Sequence, residues 1–103
     1  MTQIEFDSLI SGRSIQIDVN GNPVCVTRVG EEVFATSNIC SHAYAELSDG
    51  EVEGYVIECW LHGANFDLRT GKALTLPAIE PIETYQVDRD GNKLTISRKI
   101  EEL

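Results

Sequence analysis

Two short stretches decide how this chain reads: Cys40-Ser41-His42 and Cys59-Trp60-Leu61-His62-Gly63, with 16 residues between His42 and Cys59. The chain has only two histidines, and each follows a cysteine by two or three positions. Two thiolates and two imidazoles suit a tetrahedral zinc ion, and they also suit an iron–sulfur cluster with mixed ligands. Zinc fingers usually pair like ligands, as C-x(2–4)-C and H-x(3–5)-H. Here each loop supplies one cysteine and one histidine. That pattern fits a two-iron cluster in which one iron takes both thiolates and the other both imidazoles, each loop reaching across both metals.

Working outward, the loops sit in an unusually acidic region. Residues 29–68 contain no lysine or arginine and eight acids: Glu31, Glu32, Glu46, Asp49, Glu51, Glu53, Glu58 and Asp67. That nearly accounts for the net charge of −9 of the whole chain. A solvated acidic face is one reading. Its coincidence with the Cys/His set favours a docking surface for a basic partner, with attraction speeding the encounter. Nucleic acid is excluded as a partner because no basic stripe exists. A membrane surface is excluded because there is no polybasic patch and no run of about 18 apolar residues.

Length and composition set the frame. At 103 residues, 42% apolar and 24% charged, the chain has the size and balance of one globular domain. The N-terminal Met1-Thr-Gln-Ile-Glu-Phe-Asp7 lacks the apolar core of a signal peptide, so a cytoplasmic location is expected. Three cysteines, an odd number, argue against a disulfide framework there.

The periodicity is that of strands. Ser14–Val19 alternates, with Ile15, Ile17 and Val19 on one face. Asn20-Gly21 is a strong hairpin signal, and Pro23–Val29 is the return strand. Gly30-Glu31 turns the chain into Val33–Thr36. Tyr55–Glu58 reads as a further short strand, and Glu83–Asp88 and Lys93–Arg98 flank a turn at Asp90-Gly91. No window sustains a helical period. Ser41–Leu47 has room for one helical turn at most. The expected class is all-β, in one domain.

Taken together, these stretches resemble a known family. Cys40-x-His42 and Cys59-x-x-His62-Gly63 match the Rieske [2Fe–2S] signature. Leu47-Ser-Asp-Gly50, Phe66-Asp-Leu-Arg-Thr-Gly-Lys72 and the segment from Pro77 to Val87 match as well, so the likeness covers nearly the whole chain. It is similar to the small Rieske-type ferredoxins that serve bacterial aromatic-ring-hydroxylating dioxygenase systems. The resemblance implies an all-β Rieske fold of antiparallel sheets with a two-loop cluster-binding subdomain. The single domain would span residues 1–103, with the subdomain, about residues 38–80, inserted in a basal β domain. It implies one Rieske-type [2Fe–2S] cluster on Cys40, His42, Cys59 and His62. The histidines would sit at the exposed tip as the electron port, and the segment Pro77 to Pro81 would close over the cluster. Trp60 stands where many relatives have proline.

The implied function is one-electron carriage from an NAD(P)H-dependent flavoprotein ferredoxin reductase to a terminal Rieske oxygenase, by a protein that is a monomer in solution. One alternative keeps the chemistry: the small Rieske-like subunit of an assimilatory nitrite reductase. Another changes the class: a zinc-stabilised β module that only binds a partner. Respiratory relatives carry a further cysteine in each loop and serine and tyrosine hydroxyls on the cluster sulfurs. The corresponding residues here are Ala45, Leu61, Ala64 and Phe66. Without those hydroxyl donors the potential is expected near the low end of the Rieske range, on the order of −150 mV. With neutral imidazoles the oxidised core sums to zero charge, whereas four thiolates would give about −2, so the potential still exceeds that of all-cysteine ferredoxins. Reduction adds negative charge beside both imidazoles, so the potential is expected to fall once they titrate.

Two remaining features are read from the residues alone. Cys25, within Pro23-Val-Cys-Val-Thr-Arg-Val29, faces away from Val24 and Val26 and reads as a buried, inert thiol. No catalytic residue is expected: both histidines are committed to the loops, and no Gly-rich phosphate loop precedes a helix.

Overall fold

The computed structural model describes residues 1–40, 45–61, 63–76 and 80–99. Three tight hairpins generate most of the architecture. Strands β1 (Thr2–Glu5), β2 (Arg13–Val19), β3 (Asn22–Val29), β4 (Glu32–Ser37), β8 (Thr84–Asp90) and β9 (Lys93–Arg98) form one antiparallel sheet in the order β1-β9-β8-β4-β3-β2. Strands β5 (Val52–Glu53), β6 (Val56–Glu58) and β7 (Asn65–Asp67) form a second, smaller sheet in chain order. The small sheet is thus built from chain that leaves the large sheet after β4 and returns at β8.

The turn chemistry explains the register. Asn20 and Gly21 both take positive φ, 52° and 86°, the requirement of a two-residue hairpin between Val19 and Asn22. The last hairpin differs from the sequence expectation. Asp90 pairs with Lys93 and closes the ladder, so the turn is Gly91-Asn92, with Gly91 at φ 62°. Glycine there supplies the positive φ, and Asn92 accepts a bond from the backbone N–H of Asp7 through its side chain at 2.9 Å. Of Ser41–Leu47, residues 41–44 lie outside the described residues; a short 3-10 turn spans Leu47–Asp49.

Strand β3 is buried on both faces, which is why its sequence is nearly continuous in apolar residues. Val24 and Val26 point into a core shared with Phe6, Leu9, Val19, Ala35, Tyr85, Leu94 and Ile96. Cys25 points the other way, into a second core with Cys40, Ala45, Leu47, Ile57, Cys59, Ala64, Phe66, Leu68 and Ile82. The Cys25 thiol is fully buried, and burial raises its pKa above the ordinary thiol value. The second core is the floor of the loops that carry the cysteines.

The large sheet curls so that its outer strands meet. The Thr2 hydroxyl donates to the Asp18 carbonyl at 2.5 Å, and the N-terminal ammonium donates to Asn20 Oδ1 at 3.2 Å. The 3-10 turn Phe6–Ser8 then caps one end. The Phe6 ring is held between the guanidinium groups of Arg28 and Arg89, at 4.0 and 3.7 Å from its centroid. Glu31 pairs with both arginines at 3.7 Å, so the repulsion between them is offset. At the seam between the sheets, the Tyr55 hydroxyl donates to Glu32, and the Tyr55 ring meets Phe34 edge-on at 5.6 Å between centroids. Arg69 lies over the same ring at 4.7 Å and is paired with Asp67 at 3.2 Å.

Candidate metal centre

The two cysteine loops are closed by the same device. Cys40 N–H donates to the Ala45 carbonyl at 2.9 Å, and Cys59 N–H donates to the Ala64 carbonyl at 2.7 Å. Each loop is therefore a Cys-x4-Ala tip on an antiparallel neck. Below the first, Ile39 bridges Glu46, and Leu47 N–H donates to the Asn38 carbonyl at 2.6 Å. Below the second, Glu58 pairs with Asn65 and Ile57 with Phe66. The small residues have a steric role: Ala45 and Ala64 are buried at the necks, where a larger side chain would push the loop from the core.

Both cysteines are in the reduced form and buried, at 3% and 0% exposure, in one core cluster. The structure thus places Cys40 and Cys59, 19 residues apart in sequence, in the same core cluster. His42 and His62, the other two expected ligands, lie outside the described residues, as do Pro77, Ala78 and Ile79 of the segment expected to close over the site. Trp60 does not pack inward: it is 55% exposed, beside Leu61 at 37%. Phe66 is fully buried beneath the loops, in the core that contains both cysteines.

Three observations fit this floor to a metal–sulfur group. Two buried, reduced thiols belong to one core cluster and form no disulfide. Their backbones are pinned by matched hydrogen bonds, so the donor positions are set before a metal arrives. Finally, Asn38, two residues before Cys40, is fully buried with an unpartnered side-chain Nδ2, a donor suited to an acceptor that such a group would bring.

Sequence reasoning missed several elements that shape the centre. Asn65–Asp67 is a strand, yet three residues carry no detectable period. Gly50 was not recognised as a contact point. A Cβ there would lie 1.8 Å from the Glu58 carbonyl oxygen, so glycine is what lets the first loop's return pack on β6.

Comparison with known proteins gives the class. The Rieske [2Fe-2S] domain model matches residues 3–86, and the chain belongs to that family. One Rieske-type [2Fe–2S] cluster is the cofactor that the family defines. The chain is 42% identical over 88 residues to the ferredoxin component of biphenyl 2,3-dioxygenase from Rhodococcus jostii (strain RHA1), covering 85% of this chain and 82% of that one. It superposes with a TM-score of 0.90 and 38% identity on the ferredoxin of carbazole 1,9a-dioxygenase from Nocardioides aromaticivorans IC177, covering 96% of this chain and all of that one. It also matches a chain in a complex of reduced oxygenase and oxidised ferredoxin of carbazole 1,9a-dioxygenase, with a TM-score of 0.88, 28% identity, and 93% of this chain covered against 100% of that one.

Proposed function

We propose that this protein is the electron-carrying ferredoxin of an aromatic-ring dioxygenase system, not itself an enzyme. In this reading it takes electrons from a flavoprotein reductase and delivers them to a terminal Rieske oxygenase in the cytoplasm. Cys40, His42, Cys59 and His62 hold the cluster, and residues of about 38–80 are its binding subdomain within one domain. The bound cluster accepts and releases one electron at a time. The chain's task is to hold the ligands still, and the two matched necks do that for the thiolates.

The observation that carries the partner reading is the surface beside the second loop. Glu51, Glu53 and Glu58 line an open groove of about 380 Å³ with Val56 and Asn65. Glu51, immediately before β5, and Glu58 of β6 are neighbours, joined by the Glu58 N–H to Glu51 carbonyl bond at 2.8 Å. Like charges facing each other across strands destabilise a sheet. A basic partner would relieve that repulsion on docking. Trp60, Leu61, Leu74 and Leu76 are exposed on adjoining chain, and Leu74 N–H is tied to the Asn65 carbonyl at 2.8 Å. An apolar group flanked by charge suits a transient interface, with the apolar part excluding water and the charge steering approach. The relatives' dioxygenase roles support this reading over a nitrite reductase subunit. Converting Glu51, Glu53 and Asp49 singly to lysine should slow electron delivery to the oxygenase and flatten its salt dependence, measured by stopped flow. Unchanged rates in all three variants would reject the docking surface.

A further inference from the structure

The Asn38 side chain has one half committed and one half not. Its Oδ1 accepts from Ser48 N–H at 2.9 Å. Its backbone N–H donates to the Pro23 carbonyl at 3.0 Å, and its own carbonyl accepts from Leu47 N–H. These bonds tie the neck of the first loop to strand β3 on one side and to the Leu47–Asp49 turn on the other. Because Oδ1 must face the Ser48 donor, the carboxamide cannot be reversed, and Nδ2 is fixed as the other arm. Among the described residues, Nδ2 is the one buried side-chain nitrogen or oxygen that lacks a partner.

An orphaned donor in a fully buried site is costly, and its retention calls for an acceptor that arrives later. Burial runs buried, half-buried, buried over Asn38, Ile39 and Cys40, so residues 38 and 40 share the inward side of the bridge at Ile39. Residues two apart on one face are separated by about 6.5–7 Å along the strand, a span that an asparagine and a cysteine side chain can bridge between them. A neutral thiol is a weak acceptor, whereas a metal-bound thiolate carries charge and accepts well.

We infer that Asn38 is a positioning residue for the cluster: its Nδ2–H donates to the Sγ of Cys40 when that thiolate binds iron, while its Oδ1 clamps the loop through Ser48. The inference rests on Cys40 being a ligand. An N–H dipole aimed at a thiolate favours the more negative, reduced state. Asn38 therefore raises the potential that the bare loops would give.

The test is pulsed EPR on the dithionite-reduced holoprotein, grown with asparagine labelled with ¹⁵N in the side chain only. A weak ¹⁵N hyperfine coupling is expected. It should vanish in Asn38→Asp, which keeps an oxygen for Ser48 N–H but loses the donor, and the potential of that variant should fall. If Asn38→Asp does not take up a cluster, Asn65→Ser assigns the signal instead: persistence of the coupling there leaves Asn38 as its source, since Asn20, Asn22 and Asn92 lie in the large sheet and its turns. A protein with full iron and sulfide content but no ¹⁵N coupling overturns the inference alone. Protein isolated without air that contains no iron or sulfide overturns the ligand assignment as well.

Discussion

Replacing Gly50 by alanine tests how firmly the small sheet holds the second cysteine loop. The Gly50 backbone has φ −85° and ψ 173°, a conformation open to any residue, so the cost of a side chain there is spatial. The new Cβ would sit 1.8 Å from the Glu58 carbonyl oxygen and 3.2 Å from that of Leu47. Reaching ordinary contact at 3.4 Å requires a separation of 3.4 − 1.8 = 1.6 Å between the Leu47–Asp49 turn and β6. The Glu58 N–H to Glu51 carbonyl bond, now 2.8 Å, cannot survive that shift, and the Val52–Ile57 pair beside it is strained. Losing one or two such bonds costs about 1–3 kcal/mol each. For a domain of this size that lowers Tm by about 4 °C or more. Glu58 immediately precedes Cys59, so the displacement also loosens the second loop. The assay is thermal unfolding of the holoprotein followed by circular dichroism and by visible absorbance, with the rate of cluster loss at fixed temperature. Gly54→Asn is the control, because its φ of 58° is tolerated by asparagine and nothing lies within 4 Å of a Cβ there. A Tm for Gly50→Ala within about 2 °C of wild type, with unchanged cluster loss, would refute this reasoning.

Other outcomes follow from the same structure. The hydrogen bond to Glu32 raises the pKa of Tyr55, so its contribution to stability is complete below the unfolded tyrosine value of about 10 and is lost as pH rises through the folded one. The Tm gap between wild type and Tyr55→Phe should close from about pH 10 upward, and a gap that stays constant to strongly alkaline pH would contradict it. Potentiometric titration at neutral pH should give a value on the order of −150 mV, because the residues at the two hydroxyl positions are Ala64 and Phe66. A potential well above zero would contradict that expectation. Trp60→Ser should leave Tm nearly unchanged, since the ring is mostly exposed, while weakening association with the oxygenase in a binding titration; unaltered affinity would remove Trp60 from the interface.

What was legible in the sequence was whatever is local. Asn20-Gly21 announced its hairpin because two adjacent positive φ values demand those residue types. The Val24-Cys25-Val26 run showed a strand with two buried faces, and the structure divides those faces between two cores. Strand β1 was missed because Thr2–Glu5 owes its conformation to pairing with Lys93–Ile96 at the far end of the chain. The clamp of Arg28 and Arg89 on Phe6 was likewise invisible, since it joins three distant segments. At the candidate centre, cysteine and histidine spacing singles out candidate ligands, because a metal needs particular atoms at particular intervals. Asn38 carried no such mark. Its role rests on burial and on an unpaired nitrogen, which only the folded chain displays.

The most direct test of the account is the iron, zinc and acid-labile sulfide content of protein purified without air, combined with EPR after dithionite reduction. About two irons and two sulfides per chain, no zinc, and the signal of a histidine-ligated [2Fe–2S] cluster are expected. One zinc per chain without sulfide would contradict it and leave a structural metal module in place of an electron carrier.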